Sequence, residues 1–226
     1  MGSCDKRDDA DLYRFPLFVG SYWKYQVTRT NNSVDPPQLV VDTLQVWAEA
    51  PVQSPSGESC TVLRGRYNTE ESDLFEYVAN RQDGFYALGY RLRQGCIIPL
   101  KGTSNIRFTL LGNPVKEDDK DITWYPEPML QMPYEAYEGK VWFYESSVIY
   151  PSSAGFFLQK RRLVQVPWGT KIAHVKRIER YGCEMPDAEI NAYYTSVGVI
   201  KWSYVSVVNS ENDTVSHIWE LLEYRK

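Results

Sequence analysis

Histidine is nearly missing from this sequence, with 2 in 226 residues. Cysteine is sparse and scattered. Cys4, Cys60, Cys96 and Cys183 form no CxxC pair and no Cys/His cluster, which excludes a structural zinc site of the usual spacing. No apolar run approaches the roughly 20 residues a membrane-crossing helix needs. The first apolar cluster begins only at Leu12, so no secretory signal peptide is expected within the chain. The chain is then cytosolic, or a mature form whose signal has been removed. The net charge of −4 leaves no electrostatic footprint for nucleic acid, and no nucleic-acid partner is expected. GxSxG is absent, so a serine-hydrolase triad has no support. No apolar stripe of 3.6-residue period competes with the shorter periods described next.

Aromatics are abundant: 17 Tyr, 8 Phe and 7 Trp. Such chains suit half-buried pleated surfaces. Tyr22, Lys24 and Gln26 alternate with Trp23, Tyr25 and Val27, the period of a strand. The same pattern returns over 38–50, 60–67, 74–80 and 105–111. It recurs in KVWFYESSVIY, GFFLQKRRLVQV, TKIAHVKRIERY and VIKWSYVSVV. Asp83-Gly84 between two alternating runs predicts a hairpin, because Gly accepts positive φ. The closing TVSHIWELLEYRK holds good helix formers, but Val215, His217, Trp219 and Leu221 alternate and turn residues precede them, which predicts a last strand. Residues 112–138, with four prolines and a knot of charge, are expected to form a long central loop. Residues 1–11 carry no large apolar group and read as a flexible tether, leaving 12–226 as a single β domain. The fold class expected is mainly β: a curved antiparallel sheet or an open, partial β-barrel, with few or no long helices.

Trp-x-Tyr occurs three times, as Trp23/Tyr25, Trp142/Tyr144 and Trp202/Tyr204. Residues two apart on a strand share a face, so each pair puts two large rings on one side of the sheet. Two of the three tryptophans or more are expected in the core, since aromatics dominate core burial. The competing expectation is an aromatic-walled groove in which all six residues touch an apolar or sugar ligand.

FPLFVGSYWKYQV resembles the opening of a broad group of uncharacterised secreted bacterial lipoproteins common in Bacteroidetes. VPWGTKIAHVKRI (Val166–Ile178), YYTSVGVIKWSY (Tyr193–Tyr204) and WELLEY (Trp219–Tyr224) resemble, in the same order, that group's hairpin and closing strands. The middle of the chain, roughly 35–135, carries no such likeness. Trp168 stands where the group usually has a small residue. The resemblance implies a curved antiparallel sheet that partly wraps into a barrel, distantly like envelope lipoprotein carriers, and it supplies no catalytic residue. It also bears on Gly2-Ser3-Cys4, which fits the end of a lipobox, with the charged Asp5–Asp9 run as the tether after a lipidated Cys4. An engineered Met-Gly-Ser extension before a chain starting at Cys4 leads to the same acceptor cysteine. The expected location is the cell envelope, at the outer membrane or cell surface, with the membrane as partner through the lipid. An exported chain matures where disulfides form, so two of Cys60, Cys96 and Cys183 are expected within bridging distance.

For catalysis the residues offer little. His174 and His217 sit in alternating strands, and His217 and Glu220 should face opposite sides of theirs. Glu76 and Glu135 are the carboxylates that would serve a hydrolase in an aromatic cleft. Lys116–Asp121 is the densest acidic cluster but lacks the spacing and glycine of an EF-hand. In Gln159–Leu163 a regular strand would place Lys160 and Arg162 on one face and Arg161 on the other. No catalytic residue, metal or cofactor is therefore assigned. The expectation is a non-enzymatic envelope lipoprotein whose β domain binds a ligand or protein partner, with a periplasmic hydrolase and a purely structural or assembly module as the alternatives.

Overall fold

The computed structural model describes residues 14–69, 73–92, 97–98, 106–115, 122–135, 137–145, 153–180, 188–207 and 214–226. Every regular element among them is a strand: β1 (Tyr22–Asn31), β2 (Gln38–Ala48), β3 (Val52–Gln53), β4 (Ser59–Tyr67), β5 (Asp73–Asn80), β6 (Gly84–Leu92), β7 (Ile97–Ile98) and β8 (Ile106–Phe108). The second half adds β9 (Pro114–Val115), β10 (Thr123–Pro133), β11 (Val141–Glu145), β12 (Ser153–Val166), β13 (Gly169–Arg180), β14 (Ala188–Thr195), β15 (Gly198–Val207) and β16 (Thr214–Arg225). One antiparallel sheet runs β10-β6-β5-β4-β2-β1-β16-β15-β14-β13-β12-β11, with β3 attached outside β4, while β7, β8 and β9 form a small second sheet. The first strand pairs with the last, so the closing run is a strand as expected, held by β1 on one side and β15 on the other.

Strand twist and register breaks at Lys24/Tyr25, Tyr77/Val78, Gln159/Arg162 and Tyr193/Tyr194 curl the sheet into a nearly closed barrel. Its two edges, β10 and β11, follow each other in the chain and meet without a ladder. Instead Trp142 Nε1 donates to the Leu130 carbonyl (2.9 Å) and the Tyr144 hydroxyl to the Glu127 carbonyl (2.8 Å), with Tyr125 packed edge-on against Tyr144. A regular ladder cannot form there. Pro126 and Pro128 lack N–H groups, and the pairing of β10 with β6 breaks between Trp124 and Met129. This corrects the expectation of a continuous loop over 112–138, since the prolines mark an irregular edge strand rather than a loop.

Trp142→Phe keeps the ring stacked on Phe156 but removes the N–H. It should cost about 1–2 kcal/mol, because a seam carbonyl loses its donor. Amide exchange along β11 should accelerate; unchanged exchange would mean that apolar packing alone holds the seam.

Inward-facing side chains of all the long strands merge into one core, in which Trp23 is 1% exposed and Trp202 0%. A turn that is not part of the wall completes it. Thr109–Asn113, closed by Gly112 N–H to the Thr109 carbonyl (2.9 Å), is buried throughout and packs Leu110 and Leu111 inside the barrel. The strand expected over 105–111 is thus shorter than predicted: β8 ends at Phe108 and the chain turns inward. Two glycines make room for this plug. A Cβ on Gly65 would lie 2.3 Å from Leu110, and one on Gly112, whose φ is +76°, would lie 1.8 Å from the Trp202 indole nitrogen. Outside β4, β5 and β6 a second cluster buries Cys60, Val62, Tyr77, Ala79 and Leu88. Cys60 is a free thiol directed at the Val52 carbonyl, and burial raises its pKa. Cys4, Cys96, Cys183 and the tether 1–11 lie outside the described residues, so the expected proximity of two of Cys60, Cys96 and Cys183 lies outside them too.

Candidate functional site

Glu76 of β5 and Lys176 of β13 are each 0% exposed inside the barrel. The Glu76 carboxyl accepts from Thr109 Oγ1 (2.9 Å), the Leu111 backbone N–H (2.7 Å) and Asn113 Nδ2 (3.4 Å), so it pins the plug turn to the wall. Burial lifts its pKa to about 7, against the opposing pull of those donors and of the Lys176 charge. Lys176 Nζ donates to Gln131 Oε1 (2.9 Å) and lies 5.1 Å from the Phe156 ring centre and 5.3 Å from that of Tyr194. Burial lowers the amine to about 7, and the Glu76 charge works the other way. Tyr125 and Tyr194 are raised by the same desolvation and then by Glu76. Two groups titrating near neutrality suit acid–base chemistry, but with no solvent-accessible surface they have no route to a substrate. The arrangement does structural work.

A concave site lies outside, where the β12–β13 hairpin overreaches the barrel wall. Pro167-Trp168 forms its tip. The Trp168 N–H donates to the Leu221 carbonyl (2.9 Å), and the indole stands edge-on to Tyr224 at 6.4 Å. Between this hairpin and the β14–β15 turn is a cleft of about 320 Å³, lined by Arg161, Trp168, Lys171, Ile172, Tyr194, Thr195, Ser196 and Val197. Lys171 Nζ sits 4.5 Å from the Trp168 ring centre. Gln159–Leu163 does not follow regular alternation: the register breaks between Gln159 and Arg162, and Lys160, Arg161, Arg162 and Leu163 are all exposed. The bulge defeats the expected face assignment. A larger hollow of about 510 Å³ at the same end, beside the β5–β6 turn, is of mixed sign, with Arg81, Asp83, Glu135 and Lys140 around Leu130, Pro133 and Tyr134.

The predicted site residues fall mostly in the core. Trp23 donates to the Val197 carbonyl (2.6 Å) and Tyr25 to that of Val199 (2.8 Å), so this pair ties β1 to the β14–β15 hairpin. Trp202 and Tyr204 are fully buried, Trp202 lying 4.8 Å from Trp219. Tyr144 is buried and Trp142 half-buried, both at the seam. At least two of the three tryptophans are therefore core, as expected. His174 and His217 are buried too. His217 Nε2 accepts from Trp219 Nε1 (2.8 Å), and burial, with Arg29 nearby, lowers its pKa to about 3. Glu220 faces the other way, paired with Lys201 at 2.7 Å. Glu76 and Glu135 are not brought into one cleft: the first is enclosed, the second exposed beside the β5–β6 turn. Lys116–Asp121 lies outside the described residues, and among those described no cluster of three metal-ligating side chains occurs. Lys176, Gln131 and the plug escaped sequence reasoning. Trp168 is legible in the sequence only as a large residue at a turn where similar chains have a small one.

No family model and no curated protein matches the chain. Among solved structures, a Bacteroides fragilis chain described as a "putative exported protein with YmcC-like fold" is similar over 95% of this chain and 100% of its own. The identity is 10% and the TM-score 0.38, a likeness that carries no argument about activity.

Proposed function

We propose that this chain is an exported, lipid-anchored protein of the bacterial cell envelope. In this reading it acts without catalysis, as a rigid barrel that binds a ligand or partner on its outer surface. The observation that carries the binding mode is the filled interior. Barrels can enclose a ligand, but here Leu110, Leu111, Trp23, Trp202 and Trp219 occupy that space. Recognition then falls to the outside, where the Trp168 cleft combines an aromatic ring, cations and the hydroxyls of Thr195 and Ser196. The anchor rests on Gly2-Ser3-Cys4, the charged run after it and the resemblance of both chain ends to envelope lipoproteins.

Metabolic labelling in the natural host tests the anchor. With labelled palmitate, the wild-type protein should incorporate label and enter the detergent phase on partitioning. A Cys4→Ala allele should do neither. Label in both proteins, or in neither, overturns the assignment of Cys4.

A further inference from the structure

We infer that the barrel end bearing the β12–β13 hairpin tip and the C-terminal end of β16 docks on the surface of an anionic phospholipid bilayer. This deepens the envelope reading and takes its orientation from it. Arg14, the first described residue, lies at this end, where Phe15 is buried against Trp23 and Phe85. Ten residues from Cys4 to Arg14 reach at most about 35 Å when extended. A lipid on Cys4 would hold this end toward the membrane.

The rim has the composition for contact with a bilayer. Phe18, Val19, Leu163 and Ile172 are 53, 65, 73 and 66% exposed. Cations stand among them. Lys226 Nζ is 4.1 Å from the Phe18 ring centre, and Lys171 Nζ covers Trp168. Trp168 meets Tyr224 two residues before Lys226, while Leu163 and Ile172 are cross-strand partners next to Arg162 and Lys171. Apolar groups and cations therefore stand together from the Phe18-Val19 turn round to the hairpin, and Glu223 in that stretch is paired with Arg225 at 2.6 Å. The far side of the same rim is of mixed sign, with Asp83, Glu135 and Glu138 beside Arg81 and Lys140, so the hairpin side, richer in cations, is the one turned to the lipid. A protein partner is the poorer fit, because protein interface cores are depleted of lysine and other charges. Headgroups and acyl boundary accept apolar, aromatic and cationic groups interleaved.

The full chain, produced without lipid, is to be sedimented with vesicles of phosphatidylcholine alone or with 30% phosphatidylglycerol. Binding should require phosphatidylglycerol and weaken as salt is raised. Phe18→Ser with Ile172→Asn, and separately Lys171→Glu with Lys226→Glu, should lower the partition coefficient at least tenfold. All four sites are on the surface, so unchanged circular dichroism is expected. Leu39→Asn with Val41→Asn, equally exposed at the opposite end of the barrel, should bind as wild type. Absence of wild-type binding, equal loss in the Leu39/Val41 variant, or self-association through the rim in place of vesicle binding overturns the inference. Because the chain tested carries no lipid, such a failure leaves the Cys4 anchor standing, and failed palmitate labelling leaves vesicle binding standing.

Discussion

Replacing Trp202 with alanine should lower the free energy of unfolding by roughly 3–5 kcal/mol, the range for buried large aromatics. The indole has no exposed surface, packs 4.8 Å from Trp219 and 5.5 Å from His217, and is met from inside the barrel by the plug backbone at Gly112. Its removal opens a cavity between wall and plug that neither can refill, since the plug is pinned to Glu76 on the opposite arm of the sheet. Urea denaturation followed by circular dichroism measures the loss. A cost under about 1 kcal/mol, the level of an ordinary surface change, would mean that the interior is not packed around this ring. Trp168→Ala at the hairpin tip is the useful contrast, because its half-exposed ring forfeits less contact.

Lys176→Met should show a stability defect that depends on pH. In the folded wild type the Glu76 pKa stands above its ordinary 4.5, at about 7, and that of Lys176 below its ordinary 10.5, also at about 7. Between pH 4.5 and 7 the folded state binds the carboxyl proton more tightly than the unfolded chain does, so the Glu76 contribution weakens as pH rises through that window. Between 7 and 10.5 the unfolded chain holds the amine proton more tightly, so the Lys176 contribution weakens as pH falls through that window. With both values near 7, the wild type at pH 5 buries a charged amine with a protonated carboxyl, and at pH 8 a carboxylate with a mostly neutral amine. Lys176→Met leaves Gln131 Oε1 without its donor, which should cost about 1–3 kcal/mol at pH 8. At pH 5 the substitution also removes a buried ammonium, so the loss should shrink or reverse. Glu76→Gln combined with Lys176→Met removes both titrating groups and should flatten the dependence of stability on pH between 5 and 8. Equal losses for Lys176→Met at pH 5 and pH 8 would show that the amine does not titrate between them.

The sequence by itself determined which segments are strands and which way most side chains point, because both follow from a two-residue period that local sterics impose. Trp23 and Tyr25 face inward around Lys24, and Trp219-Glu220-Leu221-Leu222 is a strand despite its helix formers. A hairpin turns at Asp83, but Gly84 opens β6 without the positive φ expected of it and instead makes room for Leu130 and the Met132 carbonyl. The glycines ahead of the three Trp-x-Tyr pairs, Gly20, Gly139 and Gly198, all have positive φ. Where the period is broken, the reading failed. The prolines of β10 hid an edge strand, and the bulge after Gln159 scrambled a face.

Only the tertiary structure decided that the sheet nearly closes and what fills it. The seam joins carbonyls of one strand to an indole and a phenol of the next, a contact with no periodic signature. Lys176 stands in Lys-Ile-Ala-His-Val-Lys-Arg, where a lysine reads as solvent-facing. It is turned inward toward a carboxylate a hundred residues earlier, and a plug from between the two is threaded onto that carboxylate. Local periodicity carries no record of such partners. A buried charge is tolerable only beside its complement, and the complement is set by the closure of the barrel, not by the neighbours of either residue in the chain.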